Sequence, residues 1–177
     1  MVTGAGARHV VVIGPPGAGK STVGALVAQR LGVPVVDTDA LVELAEGRTI
    51  AEIFVDSGES HFREQERLAV ARALRAEEAA VVALGGGAVL DERTQAALAG
   101  HRVVFLDVAL RDAARRAGFD QGRPLLALNP RGQWLALMER RRPIYERLAV
   151  LRVDTNGRTA DEVADEVASR LAQDVDE

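Results

Sequence analysis

The chain has 177 residues, 47% of them hydrophobic and 27% charged, with a formal net charge of −4 and no cysteine. That size and balance suit one domain with a real core. The acidic balance argues against a dedicated nucleic-acid binder, and the missing cysteines exclude disulfides and thiolate metal sites.

The longest apolar stretches are strand-sized and nothing reads as a signal peptide or membrane span, which predicts a cytoplasmic protein. His9, His61 and His101 are far apart in the chain and lack ligand spacing, so they are read as surface or packing residues. Of the 22 basic residues only Lys20 is lysine. A lone lysine among arginines hints at a site where a planar guanidinium fork would not fit.

After a loose, glycine-rich start, HVVVIG (9–14) reads as a buried strand, and apolar positions at Val23, Leu26, Val27 and Leu31 predict a helix over 20–31. VPVVD (33–37) is a second buried strand. Helical segments follow over roughly 38–46, 49–56 and 59–76, broken near Gly47 and Gly58. AAVVAL (79–84) is a third strand, a helix is expected near 91–99, and RVVFLD (102–107) is a fourth strand. Residues 109–117 look helical. The stretch GFDQGRPLLALNPRG (118–132) has turn residues at both ends and no clean period, which predicts a loop or lid. A helix over about 133–147, a strand at 149–153 and an amphipathic helix carrying Val163, Val167 and Leu171 complete the pattern. Apolar strands alternating with helices imply a doubly wound α/β fold with a parallel sheet, whose ligands gather at the carboxyl ends of the strands.

GPPGAGKST (14–22) fits the phosphate-binding pattern G-x-x-x-x-G-K-[ST], directly after a strand and opening a helix. Its glycines turn backbone N–H groups inward, and the helix N-terminus adds its positive dipole end. Gly17, Ala18, Gly19, Lys20, Ser21 and Thr22 are therefore the expected nucleotide contacts, with Lys20 on the β- and γ-phosphates and Ser21 on Mg²⁺. Pro15 and Pro16 carry no N–H, so the donors start at Gly17.

Two acids end buried strands, Asp37 and Asp107, and the plain role of either is to cap the next helix. Asp37 is favoured for the metal because it belongs to the pair DTD (37–39), whose carboxylates can face different ways from one turn. Asp107 is given the capping role. Asp39 is then a candidate to orient an acceptor hydroxyl and take its proton. Arg123 in the expected lid is a candidate to neutralise the transferring phosphoryl group. Arg63 and one of Arg140, Arg141 and Arg142 would suit a small anionic substrate, since arginine grips carboxylate bidentately. Trp134 and Tyr145 are read as packing residues. LGGGAV places Gly85, Gly86 and Gly87 at the end of the third strand, as an ordinary turn or as a wall against which a ligand presses.

Together and in this order, GPPGAGKST, DTD, GRTIAEIF, GESHFRE, LGGGAV, GRPLL, the arginines before PIY, and VDTN resemble the shikimate kinase family from about residue 9 to 172. The resemblance implies one monomeric P-loop kinase domain over 1–177, with a five-stranded parallel sheet in the order 2-3-1-4-5 and helices on both faces. It also implies a substrate-binding helical region at about 38–76 and a lid at about 118–130. The activity implied is transfer of the ATP γ-phosphate to the 3-hydroxyl of shikimate, with Mg²⁺, in aromatic amino-acid biosynthesis. Residue by residue, Lys20 and Ser21 resemble the nucleotide and metal contacts, and Asp37 lies near the metal waters. Asp39 resembles the hydroxyl ligand and candidate base, Arg63 and Arg141 resemble the carboxylate clamp, and Gly85, Gly86 and Gly87 line the same pocket. Arg123 resembles the lid arginine, and Arg116 and Arg158 are expected near adenine. Three features depart from the family's pattern: Glu64 beside Arg63, a lid poorer in glycine, and NGRTA without a proline against adenine. Gluconate kinase and a nucleotide-dependent switch are the competing readings.

Overall fold

The computed structural model describes residues 8–119 and 129–173. Five parallel strands, β1 (Val10–Ile13), β2 (Val35–Asp37), β3 (Val81–Ala83), β4 (Arg102–Asp107) and β5 (Leu151–Asp154), form one sheet in the order β2-β3-β1-β4-β5. The expected strand order and fold class hold. All four residues of β1 are buried, as a strand covered on both faces requires. Val11, Val12, Val82, Val104 and Phe105 are fully enclosed, and each large apolar side chain so buried contributes about 1.5–3 kcal/mol.

The helices are α1 (Lys20–Leu31), α2 (Thr38–Glu46), α3 (Ile50–Leu74), α4 (Glu92–Ala97), α5 (Leu110–Ala117), α6 (Pro130–Leu148) and α7 (Ala160–Gln173). α1 lies along α7, while α6 contacts β4, α5 and a 3₁₀ turn at Ala88–Leu90. β3 lies between β2 and β1, so the chain leaving β3 at the three glycines is flanked by DTD after β2 and by the phosphate loop after β1. The strand order alone brings these segments together.

Two expectations need correction, and one lies outside the described residues. The helix expected from about 133 starts at Pro130, because Asn129 caps it: its side chain accepts from the Gly132 N–H at 3.0 Å, and a proline at the first turn costs no hydrogen bond. Of the predicted loop, residues 120–128, and with them Arg123, lie outside the described residues. Asp107 does not cap α5, whose N-cap is Ala109 without a side-chain bond. Instead Arg142 grips the Asp107 carboxylate with two bonds of 2.9 Å, and Arg152 adds bonds of 3.0 and 2.5 Å. Burial pushes the Asp107 carboxyl up, but the two arginines outweigh it and hold it below its ordinary value. An unpaired carboxylate at the end of a buried strand would be costly, and this double pairing is what removes the cost.

The histidines separated in sequence partly converge. His9 and His101 stack with ring centroids 5.1 Å apart, at the end of the sheet where β1 and β4 begin. His9 Nδ1 accepts the Ala80 N–H, and His101 Nδ1 accepts the His9 N–H, both at 3.2 Å. They are packing residues, as expected.

The break expected at Gly58 is real but local. α3 runs through it with one non-helical residue, Gly58, at φ 83° and ψ 169°. On its N-terminal side α3 packs with α2 around a small separate core of Val42, Ile53 and Phe62, while its C-terminal half joins the main core through Val70, Ala73 and Leu74. Arg63 follows the kink by five residues and lies against Gly87. Gly58 occupies a region that essentially only glycine adopts, and a Cβ there would meet nothing within 4 Å. Gly58→Ala is expected to cost about 1–3 kcal/mol in urea unfolding through backbone strain alone. A change within 0.5 kcal/mol would show that α3 straightens freely.

Candidate active site

The phosphate loop bends between β1 and α1, where Gly17 (φ 84°) comes so close to α5 that a Cβ would stand 2.7 Å from the Ala113 carbonyl oxygen. Gly19 (φ 87°) is the N-cap of α1. Lys20 Nζ donates to the Pro15 carbonyl at 3.0 Å, which holds the ammonium over the loop. Burial pulls Lys20 down to about 8, against the opposing pull of Asp39 and Asp37. A bound polyphosphate would relieve that desolvation, so the lysine is set to prefer an anion.

Gly17, Ala18, Gly19, Lys20, Ser21 and Thr22 line one cavity of about 450 Å³, together with Asp37, Asp39, Arg116, Arg158, Thr155, Thr159 and Ala160. Every described residue expected to contact nucleotide therefore faces a single space. Arg116 spans its far end, with bonds to the Thr155 hydroxyl (2.9 Å) and carbonyl (2.6 Å) and to the Gly17 carbonyl (3.4 Å). Arg158 lines the cavity but has its guanidinium engaged with Glu166 at 2.7 Å and with the Asp154 and Glu162 carbonyls. It offers the cavity its stem more than its charge.

DTD divides three tasks among three consecutive residues. Asp37 Oδ1 caps α2 by accepting from the Asp39 and Ala40 N–H groups at 3.0 and 3.2 Å, while its Oδ2 accepts from the Ser21 hydroxyl at 2.5 Å. The capping and metal roles weighed against each other for Asp37 thus use different oxygens. Thr38, fully buried, takes the Gly85 N–H at 3.2 Å and donates to the Ala83 carbonyl at 3.3 Å, fastening α2 to the end of β3. Asp39 faces inward, and its Oδ1 is buried with no hydrogen-bond partner among the described residues.

The three glycines explain how the remaining residues meet. None has positive φ, so flexibility is not their purpose. They leave room for charged groups, two carboxylates at Gly85 and one guanidinium at each of the others. A Cβ on Gly85 would stand 2.5 Å from Asp39 Oδ1 and 2.6 Å from Glu66 Oε1. On Gly86 it would stand 3.4 Å from Arg141 Nη1, and on Gly87 2.7 Å from Arg63 Cζ. Asp39, Arg63 and Arg141, predicted from separate segments, thus converge on consecutive residues of one wall.

A profile of the shikimate kinase family matches residues 16–172 of the chain. The shikimate kinase of Streptomyces avermitilis is 56% identical over 163 residues, covering 92% of this chain and 95% of the relative. That of Thermobifida fusca is 54% identical over 161 residues, covering 91% and 93%. The solved structure of shikimate kinase from Acinetobacter baumannii in complex with shikimate superposes with a TM-score of 0.88 at 31% identity, over 94% of each chain.

The chain belongs to the shikimate kinase family.

Membership supersedes the gluconate kinase and switch readings. It leaves the site's own chemistry to be read from its residues, including several that the sequence reading missed. Glu66 is only 3% exposed and accepts from Arg63 Nη1 at 2.7 Å. Burial pushes its carboxyl up, and Arg63 opposes that. Its signal was available, because Glu66 stands three residues after Arg63 on one helix face. Trp134 and Tyr145 do pack, as expected, but each also bonds a carbonyl of the site: Trp134 Nε1–H donates to Pro16 at 3.0 Å, and the Tyr145 hydroxyl to Gly86 at 2.7 Å. Nothing in the local sequence announces those bonds. Of the arginine run, Arg140 is exposed, Arg141 faces Gly86, and Arg142 holds Asp107. Only one of the three serves the pocket.

Because the groups crowding the glycines are ends of side chains, Gly85→Ala and Gly87→Ala are expected to displace carboxylate or guanidinium rather than backbone. Each should raise the KM for shikimate about tenfold or more, the scale of a lost charge-assisted hydrogen bond, and leave thermal unfolding nearly unchanged. Gly86→Ala, whose Cβ meets the Gly14 carbonyl at 3.3 Å and Arg141 at 3.4 Å, should do less. Steady-state kinetics on the three variants would refute this ranking if Gly86→Ala were the most impaired.

Proposed function

We propose that the chain transfers the γ-phosphoryl group of ATP to the 3-hydroxyl of shikimate, with Asp39, Arg63, Arg141 and the wall Gly85–Gly87 forming the acceptor pocket. The observation that carries this reading is the facing of three consecutive glycines by two carboxylates, Asp39 and Glu66, and two guanidinium groups, Arg63 and Arg141, beside the phosphate loop. A small ring with one carboxylate and several hydroxyls matches two cations on one side and a carboxylate acceptor on the other. The whole arrangement comes from one chain, which supports a monomer, and the use of ATP fits a cytoplasmic enzyme.

Arg63 and Arg141 hold the substrate carboxylate, and Asp39 Oδ1, buried without a partner among the described residues, accepts the hydrogen bond of the 3-hydroxyl. The hydroxyl oxygen then lies toward the phosphate loop, where it forms the new P–O bond as the bond from the γ-phosphorus to the β,γ-bridging oxygen breaks. The hydroxyl proton passes to Asp39, and ADP leaves. With a loose transition state, orientation by Asp39 contributes more than its basicity. Lys20 follows the β- and γ-phosphates as a compact charge. Ser21 and Asp37 present hard oxygen ligands side by side at the mouth of the loop, a donor set that fits Mg²⁺ held chiefly by phosphates and water. The ion would neutralise charge on the phosphates when bound. Arg116 is placed to cover the adenine end, with Arg158 behind it, and the role of Arg123 on the phosphates rests on its GRPLL motif.

ADP release should be stimulated by shikimate and not by gluconate or nucleoside monophosphates, and active protein without shikimate stimulation would refute the proposal.

Asp39 also gives a pH test. Burial, then the charges of Glu66 and Asp37, push its carboxyl up from 3.8 to about 6, against Lys20 and Arg63. The folded protein thus keeps this proton to a higher pH than the unfolded chain does. The stability from the protonated form is complete below 3.8 and is lost as the pH rises through 6. Asp39→Asn should abolish most turnover, yet stabilise the ligand-free protein at pH 8 by up to about 3 kcal/mol, with the gain vanishing near pH 4. Melting curves at the two pH values check this, and a variant less stable than wild type at pH 8 would contradict it.

A further inference from the structure

Tyr145 is completely buried, and its ring stacks on Phe105 of β4 with centroids 5.1 Å apart. It lies four residues after Arg141, so the two side chains rise from the same face of α6, one turn apart. Its hydroxyl donates to the Gly86 carbonyl at 2.7 Å, and the Arg141 guanidinium lies beside the same residue, 3.4 Å from where a Gly86 Cβ would stand. A single fixed oxygen therefore bonds the middle of the glycine wall at the residue beside which one arm of the expected carboxylate clamp lies.

We propose that the Tyr145 hydroxyl is a positioning group for the acceptor pocket, fixing the Gly86 carbonyl and the Arg141 guanidinium relative to each other so that the guanidinium is aimed at the substrate carboxylate. The inference rests on the reading of Arg141 as part of that clamp. A long, flexible arginine would otherwise give up rotamer freedom when substrate binds. Here the loss is taken in the folded protein, because the phenol beside it is rigid: its ring is stacked, its helix is anchored by Arg142 on Asp107, and its proton is committed to Gly86. Burial, opposed by Arg141, pushes the phenol up, so the proton stays on the oxygen across the working range. Orientation then separates from charge, since Arg141 keeps its charge whether or not the hydroxyl is present.

Tyr145→Phe preserves the ring and its stacking and removes only the oxygen. The expected result is a KM for shikimate raised about tenfold, the scale of one hydrogen bond to a charged group, with kcat and the KM for ATP nearly unchanged. In an Arg141→Ala background the same change should add almost nothing, because the group it orients is gone. A shikimate KM within twofold of wild type, equal losses for shikimate and ATP, or fully additive losses in the cycle would each overturn the proposal. If Arg141→Ala itself leaves the shikimate KM unchanged, the clamp reading fails and takes this inference with it. If Arg141→Ala is impaired and Tyr145→Phe is not, only the inference fails. A spectroscopic measurement needs no Tyr145 variant, because Tyr145 is the only tyrosine in the chain. Shikimate should perturb the tyrosine absorption band in the wild type and not in Arg141→Ala, and an unperturbed band in the substrate-saturated wild type would also overturn the proposal.

Discussion

The site depends on a constraint of space: at the end of β3 the chain must pass within contact distance of a carboxylate pair and two guanidinium groups. A single Cβ at Gly85 would overlap the Asp39 and Glu66 carboxylates, and one at Gly87 would overlap Arg63. Three different helices supply those groups. Asp39 opens α2, Arg63 and Glu66 follow the kink in α3, and Arg141 sits on α6. Only a stretch without side chains lets all three helices bring charge to one line of backbone. The backbone is itself held in place, by Thr38 on the Gly85 N–H and by Tyr145 on the Gly86 carbonyl.

Crowding has an electrostatic consequence. Asp37, Asp39 and Glu66 share the cleft with Lys20, Arg63 and Arg141, and partial burial penalises every one of these charges. The balance is uneven, because Asp39 is pushed up to about 6 and Lys20 down to about 8. Both shifts favour neutral forms of groups whose work requires charge. A polyphosphate beside Lys20 and an acidic ring beside Arg63 and Arg141 would supply the missing partners, so ligand binding and the correct ionisation states go together. The site holds its charges at a cost to stability, and the substrates remove the cost.

The strands and nearly all helices were legible because they follow from period, length and turn residues, which are local properties, whereas the sheet order came only with the family resemblance. The phosphate loop and DTD were legible because their chemistry lies in consecutive residues. Asp107 was misread for a physical reason: a carboxylate after a strand looks like a cap, and only the fold reveals that Arg142 and Arg152 arrive from α6 and β5 to claim it. The glycines could be read as a turn or as a wall, and only the fold shows which charged groups lie against which glycine. Tyr145 was hidden because its importance lies in a contact that crosses between elements, while Glu66 left only the weak signal of its spacing from Arg63. A buried acid three residues from an arginine and a tyrosine in a helix both have ordinary uses, and sequence spacing does not choose among them.

α6 shows how these long-range bonds combine. Trp134 and Tyr145 are eleven residues apart, about three turns, and so lie along one stripe of the helix. At one end of that stripe Trp134 bonds the phosphate loop at Pro16. At the other, Tyr145 bonds the glycine wall at Gly86, with Arg141 one turn before it. Arg142, next to Arg141, is fastened to the end of β4 through Asp107. A helix pinned at three points cannot rotate to move Arg141 without breaking a bond to the phosphate loop, the sheet or the wall. The buried Asp107 pair therefore has a use beyond stability. An isolated buried ion pair is often replaceable by apolar packing, but apolar packing would not fix the rotation of α6 about its axis to the same tolerance. The angular position of one arginine is what the proposed carboxylate clamp requires, and in this fold it is set by the bonds of Trp134, Arg142 and Tyr145.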